Sequence, residues 1–161
     1  MSEERRAGGV MEEEQGYQGL EDLIAWQKAR DLMNFVHRKV APTLPPEEKW
    51  DLTSQIRRSS KSVMANVAEG HGRYYYQENI RFCYLARGSL METYSHLVTA
   101  HDLGYISDAL LTEGNVIILH ARRTLNGYIN YLAKSKRGGD LPGGRLREIP
   151  TDYEIALLPD D

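Results

Sequence analysis

The sequence predicts an all-α fold, an up-and-down antiparallel four-helix bundle. Four long stretches carry apolar residues at i, i+3 and i+4, and the links between them are short and rich in proline, glycine or serine. At 161 residues the chain suits one domain, large enough to bury an ordinary core.

Residues 1–19 are polar, acidic and spotted with glycine, which predicts a disordered acidic tail. Met11 is a second candidate for the natural start. Helix one is expected from Leu20 to about Val40. Ala25, Trp26, Ala29, Leu32, Met33, Val36 and Val40 share one broad arc, while Arg30, Asn34, His37 and Arg38 point elsewhere. Pro42 stops the helix. In the stiff link PTLPP, Pro46 suits the first position of helix two, with Glu47 and Glu48 in the turn where the helix dipole favours acids.

Helix two is expected to run to Glu69, and the stretch SQIRRSSKSVMANVAEGHGR is its distinctive part. Leu52, Ile56, Ser59, Ser60, Val63 and Val67 form a buried stripe whose small serines let a neighbouring backbone come close. Ser54, Arg58, Lys61 and Ala65 lie opposite, with Arg57 and Ser62 on the flanks. Gly70 is expected to close the helix as a left-handed residue of positive φ, followed by Gly72. In HGRYYYQ, three consecutive tyrosines exceed what one helix face buries, so at least one is expected at the surface.

Helix three, about Gln77 to Leu103, is apolar on two sides. One arc holds Ile80, Cys83, Leu90, Tyr94, Leu97, Val98 and His101; another holds Phe82, Leu85, Ala86, Ser89, Ala100 and Leu103. Only Arg81, Glu92, Ser95 and Thr99 form a polar strip. In a domain of four helices none is central, so a subunit contact is expected, through Phe82, Leu85, Ala86 and Ser89 with Ala65 of helix two. Gly104 ends helix three, Ser107 caps helix four, and helix four continues to about Lys134. Its stripe is Leu110, Gly114, Ile117, Ala121, Leu125, Tyr128 and Leu132. Residues 138–161 are expected to be a flexible acidic tail with an apolar patch from Tyr153 to Leu158, which leaves 20–137 as the folded domain.

Charge is uneven along the chain. Residues 1–19 hold five acids and two bases, residues 20–137 twelve acids and sixteen bases, and residues 138–161 six acids and two bases. The body is therefore mildly basic between acidic tails.

The lone cysteine, Cys83, excludes an internal disulfide and fits a reducing compartment. No secretory leader or membrane-span-length apolar run is present, so a cytoplasmic protein is expected. A di-iron carboxylate site needs paired Glu-x-x-His motifs. Here Glu92 and His96 are four apart and Glu69 and His71 two apart. Phosphate-loop, GxSxG and CxxC motifs are missing as well. The expectation is no catalytic residue, no metal ligand set and no cofactor. What remains is a cationic surface suited to phosphate: Arg57, Arg58 and Lys61 on helix two, Arg73 and Arg81 beside the tyrosine loop, and Arg122 and Arg123 on helix four.

Three segments, LEDLIAWQKARDL, QIRRSSKSVMANVAEGHGR and FCYLARGSLMETYSHLVTAHDLGYIS, resemble the proteins encoded by intervening sequences in bacterial 23S ribosomal RNA genes. The resemblance covers about residues 20–135. Where members of that family often carry alanines, this chain has Ser59 and Ser60. The resemblance implies a left-handed bundle assembled as a ring-shaped homopentamer, with RNA as the usual suggested ligand. A more distant relative, the accessory variability determinant of diversity-generating retroelements, is a basic pentamer that binds nucleic acid and a reverse transcriptase. The function expected is thus a non-catalytic homo-oligomeric scaffold that binds nucleic acid, RNA foremost. The alternative is a protein-binding adaptor, for example an accessory subunit of a reverse transcriptase.

Overall fold

The computed structural model describes residues 19–134, all-α with no strand among them. The expectations for the acidic tails lie outside the described residues. Four α-helices carry the structure: α1 (Ile24–Phe35), α2 (Leu52–His71), α3 (Tyr76–Asp102) and α4 (Asp108–Lys134). Each helix packs on two others: α2 lies against α1 and α3, and α4 against α3 and α1. α2 and α4 are thus across from one another.

The first helix is shorter and less regular than its periodicity implies. After Phe35 the chain opens into a π-helical turn (Val36–Val40) and then a 3-10 turn (Ala41–Thr43). Pro42 is the physical reason, because its ring collides with the carbonyl four residues back and it supplies no N–H. The start of the second helix also differs. Pro46–Glu48 forms a separate 3-10 turn, and α2 begins only at Leu52. Glu48 caps it from outside: one carboxylate oxygen accepts the Leu52 N–H at 3.1 Å and the other the Tyr105 hydroxyl at 3.0 Å. One acid thereby ties the start of α2 to the α3–α4 turn.

That turn follows its sequence. Gly104 has φ +77°, its N–H donates to the His101 carbonyl at 2.9 Å, and the Tyr105 N–H donates to the Ala100 carbonyl at 2.8 Å. This is a Schellman closure, and a residue with a Cβ is strained there. Ser107 then accepts the Leu110 N–H at 3.1 Å, satisfying an orphan donor of α4.

Gly70 behaves otherwise than expected. It lies inside α2, buried, and the positive φ belongs to Gly104 instead. α2 ends one residue later at His71, capped by Gly72 with φ −74°. The glycine is needed for room: a Cβ at position 70 would sit 2.6 Å from Asn79 Oδ1, 2.9 Å from Phe82 Cβ and 3.0 Å from the Asn79 carbonyl. α2 and α3 therefore meet almost backbone to backbone at this end.

All six residues of the expected α2 stripe are buried. The serines are satisfied inside. Thr93 donates to Ser59 Oγ at 2.8 Å, Ser59 donates to the Ile56 carbonyl at 3.2 Å, and Ser60 to the Arg57 carbonyl at 3.1 Å. A hydroxyl chain thus crosses the closest helix pair at the cost of little volume, and every member has a partner.

Candidate nucleic-acid interface

The outward side of α2 carries Ser54, Arg58, Lys61 and Ala65, all exposed, as helical spacing requires once the stripe is buried. Of the seven expected phosphate-binding residues, the structure groups Arg57, Arg58 and Lys61 here. They differ in their neighbours. Arg58 leans toward α3, 3.8 Å from Glu92, an exposed and weak pair. Arg57 leans toward the π turn, where its Nε donates to His37 Nδ1 at 3.4 Å. Among the described residues neither Arg57 nor Lys61 has a carboxylate partner.

The remaining four lie elsewhere. Arg73 follows α2, bound to Glu69 at 2.9 Å with its guanidinium 4.8 Å above the Phe82 ring. Arg81 is exposed on the first turns of α3. Arg122 and Arg123 ride on α4, across the body from the outward side of α2. Arg122 is half-buried and Arg123 exposed. No single strand could lie flat on all seven.

The expected subunit-contact residues divide too. Leu85 is 56% exposed and Ala65 is exposed, so both reach the surface. Phe82 is half-buried beneath Arg73, and Ser89 is half-buried with its hydroxyl 2.9 Å from that of Ser62. Ala86 is fully buried in the protomer's own core and offers nothing to a second copy. Its placement on an outward arc is corrected by the phase of α3, which turns Arg81, Leu85, Gly88, Glu92, Ser95 and Thr99 to solvent.

The tyrosine loop is exposed at Tyr74 and Tyr75, whose rings meet edge to face at 4.9 Å, while Tyr76 packs against the core. Beside it, Asn79 is buried and donates to the Tyr128 hydroxyl at 2.8 Å, while the Cys83 thiol donates to Asn79 Oδ1 at 3.5 Å. Burial pushes the Cys83 thiol up to about 12, so it is held protonated and poorly nucleophilic. Among the described residues no three His, Cys, Asp or Glu side chains gather to hold a metal ion. Nor is any described helix long and apolar enough to cross a membrane.

One residue of this surface was not marked by the sequence. His37, in the π-helical turn after α1, falls off the apolar arc expected of the first helix, yet the structure sets it against Arg57. Nothing local signals this, because the contact joins residues twenty apart across two helices.

A family model described as "23S rRNA-intervening sequence protein" matches residues 21–127. The chain belongs to this family. The match spans α1, α2, α3 and most of α4, so the helical body is what members of the 23S rRNA-intervening sequence protein family share with this chain. No curated protein sequence gives a significant match.

Proposed function

We propose that this member of the 23S rRNA-intervening sequence protein family is a non-catalytic, homo-oligomeric scaffold that binds nucleic acid, RNA foremost, in the cytoplasm. Its helices are read as a left-handed up-and-down antiparallel bundle, and the oligomer as a pentamer. The observation that carries the reading is the outward side of α2, where Arg57 and Lys61 stand exposed with no carboxylate paired to either among the described residues. A cation left unpaired on a helical surface retains its full attraction for phosphate. The family's name sets RNA as the first ligand to test. Exposed Leu85 and Tyr74 favour the second reading, a protein-binding adaptor such as an accessory subunit of a reverse transcriptase. Filter binding of single-stranded RNA across salt concentrations separates the two. Nucleic-acid binding shows log affinity falling with log salt by about 0.7 for each phosphate neutralised. No binding at low salt refutes the RNA reading and leaves the adaptor.

A further inference from the structure

We propose that His37, Arg57 and Lys61 form a phosphate notch between the π turn and α2, in which His37 is a positioning residue that aims the Arg57 guanidinium at one phosphodiester of a bound strand. The inference rests on the RNA-binding reading and adds to it which cations grip the backbone and what orients them.

The geometry assigns the tautomer of His37. A guanidinium only donates, so the 3.4 Å contact from Arg57 Nε makes His37 Nδ1 an acceptor. The ring proton then sits on Nε2, which donates to the Arg57 carbonyl at 3.3 Å. The two contacts occur together only in the neutral imidazole, because protonation of Nδ1 removes the acceptor for Arg57 Nε and leaves only the bond from Nε2. Burial lowers the His37 pKa, as do the charges of Arg57 and Lys61, against the hydrogen bond to the Arg57 carbonyl, which raises it. The imidazole thus clasps Arg57 at both its side chain and its backbone.

With Nε engaged by His37, the two Nη nitrogens of Arg57 remain for a fork-like grip on a phosphate. Lys61 is one turn further along the same side of α2, within reach of the same anion. Its proximity to the ring is what lets its charge act on His37. Arg58, the neighbouring cation, leans to the other side of α2 and meets Glu92. Two adjacent arginines therefore have different roles: Arg57 is preorganised toward phosphate, and Arg58 is partly neutralised.

The test uses the full chain and a short fluorescein-labelled oligouridine, followed by fluorescence anisotropy at neutral pH. His37→Ala should weaken binding roughly fivefold to tenfold, the range expected when a charge-assisted hydrogen bond loses its preorganisation. The salt slope should stay unchanged, since a neutral ring is removed. His37→Gln should restore affinity, because its amide oxygen accepts from Nε as Nδ1 does. Arg57→Ala should lower the slope by about 0.7. In the Arg57→Ala background, His37→Ala should cost nothing further, as a positioning role demands. A fresh loss of affinity in that background, or no loss from His37→Ala alone, overturns the notch while leaving RNA binding intact. Failure of the wild-type chain to bind at low salt overturns both. Equal affinity for 5′-hydroxyl and 5′-phosphorylated strands supports the internal phosphodiester as ligand, and dependence on the terminal phosphate refutes it.

Discussion

Replacing Gly70 by alanine tests whether the α2–α3 contact is set by one missing side chain. On helix propensity alone the change is favourable by about 1 kcal/mol, because glycine is the poorest helix former after proline. Sterics oppose it. The new Cβ would meet Asn79 Oδ1 at 2.6 Å, Phe82 Cβ at 2.9 Å and the Asn79 carbonyl at 3.0 Å. Two of these are atoms that a rotamer change cannot withdraw, one being backbone and the other a Cβ. The third belongs to a buried amide that bonds Tyr128 and Cys83, so moving it breaks those bonds. Overpacking of this kind costs roughly 1–3 kcal/mol, and a lost buried hydrogen bond about 1 kcal/mol more. The net expectation is destabilisation of about 1–3 kcal/mol for Gly70→Ala and more for Gly70→Val, read from urea midpoints. Gly72→Ala is the control. Its φ of −74° suits alanine, and a Cβ there meets only the Glu69 and Ala68 carbonyls at 3.6 and 3.8 Å. It should be neutral or stabilising by about 0.4–1 kcal/mol. A Gly70→Ala protein as stable as wild type would refute the close-approach argument.

Stability should respond to pH through two histidines of opposite sign. His101 donates to Asp108 at 2.6 Å, and that bond, with the charges of Asp108 and Asp102, raises its pKa. Its contribution is present below the ordinary histidine value and fades as pH rises through the folded value, so Asp108→Asn should flatten that limb of a midpoint-against-pH curve. His37, with its lowered pKa facing Arg57 and Lys61, costs stability as pH falls from the ordinary value toward the folded one, and His37→Gln should remove that limb. Under the proposed assembly, Leu85→Arg or Ser89→Arg should dissociate the oligomer in sedimentation, since a buried unpaired charge is costly; a wild-type monomer at micromolar concentration refutes assembly. Ala86→Arg should instead unfold the protomer, because Ala86 lies fully inside it. A chain trimmed to residues 20–137 should bind RNA more tightly than the full chain, because acidic tails compete for its cations; equal affinities would refute that competition.

Local chemistry determined much of this protein. The buried stripe of α2, the polar strip of α3, the Gly104 closure and the Ser107 cap were all legible, because helical period and helix-end hydrogen bonding involve residues within a turn or two of one another. The surface tyrosines of the loop were legible too. What the tertiary structure decided concerns neighbours from other helices. Gly70 reads locally as a helix terminator, and only the approach of Asn79 and Phe82 reveals it as a spacer. Ala86 reads as an outward residue, and only the packing of α3 against α2 and α4 turns it inward. Seven cations read as one set, and the fold distributes them over three places, because α2 and α4 stand across from each other. His37 meets Arg57 only because the π turn packs against α2. Periodicity specifies which side of a helix is apolar; which side chain it touches depends on the separation and phase of a second helix, and no single stretch of sequence encodes those.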